Sequence, residues 1–389
     1  MGKRVAKEVS IAVADAVAQC KVDVVSAYPI TPQTHIVEHL ADLVNNGELD
    51  AEYIPVESEH AAMSACIGAA ATGARTFTST AAQGLLFMYE MLPIASAFRL
   101  PIVMVIANRA ISAPISIWND HGDVMTMRDL GWIQTFAENG QEAVDLVYHA
   151  YRVAEKAMLP VAVNLDGFIV THVVEPVELL DQELVDKYIP PLKMKHKLDP
   201  KKPITIGAIG VPEIYTEARK AQDEAFKASY KVVVKAWQEF EKISGRRYQP
   251  IETYKMEDAE VALVIMGSLA ETAMNTVDAL REKGKKVGLI RIRLWRPFPT
   301  QDFIKALGKV KAITVFDRAL SHGATGGPVG IEVRSALYQS NKRPKVLNLI
   351  GALGGRDVTT EDFEELFDRT FSFIKAKPRF AYEIFGAKE

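Results

Sequence analysis

Along the first half of the chain, short apolar runs alternate with longer segments whose apolar residues recur every three or four positions. The pattern predicts strands over 22–27, 75–79, 102–107 and 161–165, separated by helices over 58–71, 83–98 and 141–158. Strands spaced by helices call for a mainly parallel sheet covered on its faces. The helix over 58–71 is rich in Ala and Gly, as suits tight packing against its neighbours. From 179 to 202 the periodicity gives way to charged sequence containing Pro190, Pro191 and Pro200, which reads as an extended connection over the surface.

A long helix is then predicted over 212–244, with Pro212 at its first turn and Gly245 just past its end. Ile214, Ala218, Ala221, Ala225, Ala228, Val232, Ala236, Phe240 and Ile243 form one apolar stripe along it, expected to pack. A second alternating unit follows: strands over 261–266, 287–292, 312–316 and 346–350, and helices over 271–283 and after Pro328. It is long enough to bury its own core. The expected division is therefore 1–250, long helix included, and 251–389, with the boundary near 251–257.

Composition narrows the functional classes. The 389 residues are nearly half apolar and carry a net charge of -3, so there is no basic field for nucleic acid. No apolar run reaches the roughly eighteen residues of a membrane span, and the N-terminal segment lacks the apolar core of a signal peptide, so a cytoplasmic location is expected. Cys20 and Cys66 sit in apolar, Ala-rich surroundings that suggest burial. Two cysteines cannot build a disulfide framework or a four-cysteine iron-sulfur site within this chain.

Candidate chemistry lies where the strands of the first unit end, because open α/β sheets bind ligands at their carboxyl edge. After the strand over 22–27 comes Tyr28-Pro29-Ile30-Thr31-Pro32-Gln33-Thr34, a threonine hydroxyl braced between two prolines that restrict the backbone on both sides. The plainer reading of this segment is a turn opening a helix, with Thr34 as its cap. Thr78-Ser79-Thr80-Ala81-Ala82-Gln83-Gly84 closes and follows the second strand, and Asn108-Arg109 follows the third. An arginine there can grip a carboxylate through a planar two-pronged contact, although a surface ion pair is the commoner use. Glu59, within Glu57-Ser58-Glu59-His60, sits at the mouth of the Ala-rich helix, where the dipole favours a carboxylate. His60 fits packing or capping, and Asp120-His121 fits either a turn or a site wall.

Taken in order, Tyr28-Pro29-Ile30-Thr31-Pro32, Ser58-Glu59, Ala82-Gln83-Gly84-Leu85, Arg109-Ala110 and Ile115-Ser116-Ile117-Trp118-Asn119-Asp120-His121 resemble the alpha subunit of the 2-oxoacid:ferredoxin oxidoreductases. The match is nearest the pyruvate enzyme in its multi-subunit form and covers nearly the whole chain. The resemblance implies a thiamine-diphosphate-binding domain of the pyrimidine type followed by a transketolase C-terminal-like α/β domain. It implies oxidative decarboxylation of pyruvate to acetyl-CoA and CO2 with reduction of ferredoxin, coenzyme A taking the acyl group. In that family a carboxylate hydrogen-bonded to the aminopyrimidine ring promotes cofactor activation, which makes Glu59 the candidate here, with Gln83 and Gly84 also at the cofactor. Arg109 would hold the substrate carboxylate and Thr31 would donate a hydrogen bond to the substrate.

Thiamine enzymes usually anchor the diphosphate through magnesium on Gly-Asp-Gly followed later by Asn. Here the nearest string, Leu165-Asp166-Gly167-Phe168, lacks the first glycine and has no suitably spaced asparagine. The resemblance therefore assigns magnesium to a partner beta subunit and the 4Fe-4S clusters to beta and delta subunits, within a complex that also contains gamma. This chain would supply half an active site and no metal ligand. The rivals are a branched-chain 2-oxoacid or 2-oxoglutarate enzyme, a non-catalytic scaffold, and a self-sufficient transketolase-like enzyme, against which the missing magnesium motif argues. The glycine-rich loops at 321–328 and 351–357 read as turns, and the second domain is expected to serve assembly.

Overall fold

The computed structural model describes residues 4–377 and 382–388. Among these, the first sheet has seven strands in the order Leu294–Arg296, Ile133–Phe136, Val161–Asp166, Val103–Asn108, Thr76–Thr80, Val24–Ala27 and Glu52–Pro55. All are parallel except Leu294–Arg296, which runs antiparallel against Ile133–Phe136. Strands such as Val103–Asn108 are buried along their whole length, as expected for a parallel sheet covered on both faces. The second sheet orders Glu383–Ile384, Lys345–Ile350, Ala312–Asp317, Val261–Ile265, Val287–Ile292 and Ile251–Tyr254, with only the last strand antiparallel.

The two sheets share structure. Strand Leu294–Arg296 leaves the second unit directly after Val287–Ile292 and completes the edge of the first sheet. One apolar cluster holds Met104, Ile106 and Phe136 together with Val264, Ile290 and Val315. Arg293 adds a buried ionic link, donating to Glu142 at 2.5 Å, while Arg291 pairs with Glu138. Cys20 and Cys66 are buried free thiols, and burial pushes Cys66 up to about 12.

Four local expectations need correcting. The helix over 83–98 is two helices, Ala82–Phe87 and Met91–Ala97. Pro93 explains the break, because in one continuous helix its ring would clash with the Tyr89 carbonyl and its missing N–H would leave that carbonyl unpaired. Thr34 is the first helical residue of Thr34–Asn45, whose cap is Gln33, so it does not cap that helix. The connection after 179 contains the helix Gln182–Tyr188, anchored by the buried Tyr188 hydroxyl on Ala236 O at 3.0 Å. Finally, Pro212–Ser244 is a single 33-residue helix as expected, but only its second half is buried, through Ser229, Val233, Ala236, Trp237 and Phe240. That half lies on helix Gly140–Ala157. The alanines of the first half bury too little surface to need a partner, and Ile214 stays 49% exposed. No described helix is long and apolar enough to cross a membrane.

Candidate functional site

Four strand ends of the first sheet meet at its carboxyl edge. After Val24–Ala27 the backbone turns tightly: Gln33 N donates to Ile30 O at 2.9 Å, and the fully buried Gln33 side chain donates back to Tyr28 O at 2.8 Å. This closed loop presents Thr31, which is exposed. The Thr31 carbonyl accepts from Arg109 Nη1 at 3.0 Å, so the turn and the end of Val103–Asn108 are in direct contact.

Arg109 is 8% exposed, and its Nε donates to Ser116 O at 2.7 Å. Among the described residues no carboxylate lies within ion-pair distance of it. Burial lowers its pKa, only partly offset by the nearby Asp123 charge. A buried guanidinium with no acid of its own is suited to take one from a ligand.

Glu59 is the first residue of helix Glu59–Thr72, whose start is fixed by Ser58 Oγ accepting from Ala61 N at 3.2 Å. It is 6% exposed and, among the described residues, pairs with no cation. Burial therefore raises its pKa, opposed by a hydrogen bond from its own backbone N–H. The short helix Ala82–Phe87, which follows Thr76–Thr80, packs against this carboxyl group. A methyl group on Gly84 would sit 2.5 Å from both Glu59 Oε1 and Thr80 Oγ1, so only glycine lets this helix approach so closely. Around this point the hydroxyls of Thr78 and Thr80 and both polar atoms of the Gln83 amide are buried without a hydrogen-bond partner among the described residues. Buried polar groups are rarely left so, and an acid beside orphaned donors and acceptors matches a polar heterocycle bound against them.

The structure thus brings the sequence candidates together as two contacts, Thr31 with Arg109 and Glu59 with Gly84. Asp123 joins them, and the sequence reading stopped two residues short of it, at Asp120-His121. Its fully buried carboxylate accepts from Ala82 N at 3.1 Å, Arg109 N at 3.0 Å and Asn108 Nδ2 at 3.0 Å. One acid therefore holds the start of helix Ala82–Phe87 beside Glu59 and the strand end beside Thr31 in a single register. Ala82 takes a positive φ of 40° there, a left-handed backbone that is uncommon for a residue with a Cβ. Burial pushes Asp123 up to about 7 despite these hydrogen bonds.

Asp166 and His121 have a different use. Asp166 accepts from Arg318 Nη1 at 2.5 Å and from Ser268 N at 2.8 Å, and its other oxygen lies 2.9 Å from His121 Nε2. These coulombic and hydrogen-bond partners hold it well below the usual carboxylate range even though burial pushes the other way. Asp166 and His121 are cement between the sheets. Asp120 accepts from Gly122 N and, through its other oxygen, from Gly354 N at 3.1 Å, which seats the 351–357 loop against the site loop. The end of the 321–328 loop is tied to the second sheet, since Gly327 N donates to Asn348 Oδ1 at 2.8 Å and Asp317 accepts from Val329 N at 2.7 Å and Gly330 N at 2.9 Å just beyond it. His60 lies 3.5 Å from Glu90 on the surface.

Comparison with known proteins establishes the family of the chain. Residues 15–238 match the family model described as pyruvate flavodoxin/ferredoxin oxidoreductase, thiamine diphosphate-binding, and residues 259–363 match pyruvate:ferredoxin oxidoreductase core domain II. The chain is 51% identical over 362 residues to pyruvate synthase subunit PorA of Methanocaldococcus jannaschii, covering 92% of each protein. It is 46% identical to ketoisovalerate oxidoreductase subunit VorA of Pyrococcus furiosus, covering 92% of this chain and 91% of that protein. Among solved structures, a 2-oxoglutarate:ferredoxin oxidoreductase from Magnetococcus marinus superposes with a TM-score of 0.72 at 18% identity, over 96% of this chain and 66% of that one. A split-gene transketolase superposes at 0.59 and 13% identity, over 96% of this chain and all of that one. The last two establish the fold alone, but identity near one half across almost the full length decides the family: this chain belongs to the pyruvate flavodoxin/ferredoxin oxidoreductases, with a thiamine-diphosphate-binding domain followed by core domain II.

Proposed function

We propose that this chain is the alpha-type subunit of a thiamine-diphosphate-dependent enzyme that oxidatively decarboxylates pyruvate to acetyl-CoA and CO2 and passes the electrons to ferredoxin. The observation that carries the reading is Glu59: a buried carboxyl group with a raised pKa, pressed on Gly84 beside the unpartnered Thr80 hydroxyl, with the unpartnered Gln83 amide next to Gly84 in sequence. These residues fit an aminopyrimidine ring. Bound thiamine diphosphate supplies an electron sink for breaking the carbon-carbon bond. The Glu59 carboxyl group is placed to exchange a proton at its oxygen, and its raised pKa brings that exchange closer to a weakly basic ring nitrogen. Gln83 and Thr80 offer hydrogen bonds that the fold leaves open. Arg109 binds the substrate carboxylate, and Thr31, whose backbone carbonyl Arg109 holds, donates its hydroxyl where negative charge develops.

The site is open, with Tyr28, Phe87, Ile115, Ile117 and Trp118 exposed at 39%, 59%, 82%, 42% and 52%. Apolar side chains around an unfinished site suit cover by a second polypeptide. We assign that role to a beta subunit carrying magnesium and the diphosphate, with gamma and delta completing a cytoplasmic complex whose 4Fe-4S clusters lie on beta and delta. Asp166 cannot stand in as the metal ligand, because Arg318, Ser268 and His121 already occupy it.

A branched-chain substrate is the second reading, favoured by the 46% identity to a subunit named for ketoisovalerate, only slightly below the 51% to PorA. The test is to co-purify the chain with its partners and follow ferredoxin reduction with coenzyme A and a panel of pyruvate, 2-oxoisovalerate and 2-oxoglutarate. Pyruvate should give the highest kcat/KM. A higher value for 2-oxoisovalerate would transfer the assignment to the branched-chain enzyme, and unchanged turnover on replacing Glu59 or Arg109 would reduce the chain to a scaffold.

A further inference from the structure

On the far side of the Thr31 turn, Glu8, His35 and His172 converge from three parts of the chain. Glu8 ends strand Arg4–Glu8, His35 is the second residue of helix Thr34–Asn45, and His172 follows strand Val161–Asp166 on the way to Val174–Glu178. One ligand-type atom from each lies within 4.8 Å of the others. Glu8 Oε1 is 2.6 Å from His35 Nδ1, and the two imidazoles face each other with centroids 4.6 Å apart. We propose that these three side chains bind one transition-metal dication of the zinc class.

Two imidazoles and one carboxylate make up a donor set that favours zinc and its neighbours over magnesium or calcium, and three protein ligands leave a fourth position for water. The set also has the outer support that metal-binding histidines usually carry. His172 Nδ1 lies 2.8 Å from the hydroxyl of the fully buried Thr171, which in turn accepts from Phe168 N at 2.8 Å. This fixes the ring and leaves its other nitrogen for the ion. All three residues are half-buried, so an ion can enter from solvent. None of them belongs to the Glu59 and Arg109 constellation.

The ion would clamp the N-terminal strand to the helix that leads out of the Thr31 turn. His172 also stacks on Phe168 with centroids 4.6 Å apart, and Phe168 on Trp118 at 5.0 Å, so the clamp adjoins the loop that borders the site. Its effect is structural: Zn2+ should raise the thermal midpoint of the wild-type chain and leave the variants unmoved.

The decisive experiment strips the tag-free full chain with a chelator and titrates Zn2+ against a chromophoric competitor, with Co2+ absorption as a second probe of nitrogen and oxygen ligation. One ion should bind per chain, with affinity at least about tenfold weaker in each of His35→Ala, His172→Ala and Glu8→Gln, in line with the cost of disturbing metal-site residues. His39→Ala is the control, because His39 is engaged with Asp15 at 2.9 Å outside the cluster, and it should bind as wild type. Circular dichroism establishes that each variant is folded, and Glu8→Gln, the mildest, carries the comparison if a histidine variant is not. No stoichiometric uptake at micromolar Zn2+, or uptake equal in wild type and the folded variants, overturns the proposal.

Discussion

Two acid and arginine sets lie at the carboxyl edge of the same sheet, and they are built in opposite ways. Asp166 and Arg318 are in contact at 2.5 Å, with Ser268 and His121 taking up the remaining capacity of the acid. Glu59 and Arg109 are also buried, at 6% and 8% exposed, yet among the described residues neither has a partner of opposite charge. Burial without compensation costs free energy, so the second arrangement is retained only where a ligand completes it, while the first is self-sufficient. The direction of each pKa says the same: Asp166 is held low by its partners, and Glu59 is pushed up by desolvation.

The sharpest way to break this contrast is to remove each acid. Glu59→Gln in the assembled enzyme should lower ferredoxin reduction by about 10²–10⁴-fold, the range for a proton-transfer group. The same change should raise the thermal midpoint slightly at neutral pH, because the folded protein no longer buries a carboxylate. The sign follows from linkage: a raised folded pKa means that ionisation costs stability, so the gain is present at neutral pH and vanishes below the ordinary glutamate range, where both states are protonated. A midpoint lowered at neutral pH would contradict the reading of Glu59 as an uncompensated charge.

Asp166→Asn should do the reverse. It leaves the Arg318 guanidinium buried without its counter-charge, at a cost of about 3–5 kcal/mol in chemical denaturation. The folded pKa of Asp166 is depressed, so its stabilisation is fully present above the ordinary aspartate range and is lost as pH falls through the folded value. The gap between wild type and variant should therefore close in acid. Turnover per folded molecule should change far less than in Glu59→Gln.

The sequence made one of these sets legible and hid the other for a physical reason. Glu59 sits beside a capping serine at the head of an Ala-rich helix, and Arg109 directly follows an apolar strand; both are local patterns. The partners of Asp166 come from positions 268 and 318 on the second unit, so nothing near Leu165-Asp166-Gly167 announced that the acid was already committed. Strand Leu294–Arg296 escaped for the same reason, since its pairing partner lies more than 150 residues earlier. Asp123 was missed although it is close in sequence, because its importance lies in the backbone N–H groups it accepts from, and a sequence does not display those.

Gly84→Ala tests the contact that sets Glu59. The added methyl would lie 2.5 Å from Glu59 Oε1, so the carboxyl group or helix Ala82–Phe87 must shift, and a displacement near 1 Å costs about 10²-fold in rate. Far-UV circular dichroism should be unchanged. An equal displacement at Asp166 would appear as lost stability instead, and unaltered turnover in Gly84→Ala would mean that Glu59 is not held by this helix.

Arg109→Lys carries the smallest expected effect and separates the two arginines most finely. Arg109 already donates through Nε to Ser116 O and through Nη1 to Thr31 O, so the planar fork fixes itself on the backbone and still has N–H capacity for a ligand. Lysine keeps the charge but cannot make both anchoring contacts and a flat, two-pronged approach to a carboxylate. Ground-state recognition should suffer more than chemistry, giving a KM for the 2-oxoacid raised about tenfold, or ~1.4 kcal/mol, with kcat changed less. No ion pair with protein is broken, so the loss of stability should be confined to these backbone hydrogen bonds, about 1 kcal/mol. Arg318→Lys, by contrast, should lower stability and leave KM alone. If the two substitutions gave the same pair of readouts, the division of this edge into a ligand-seeking set and a structural set would fail.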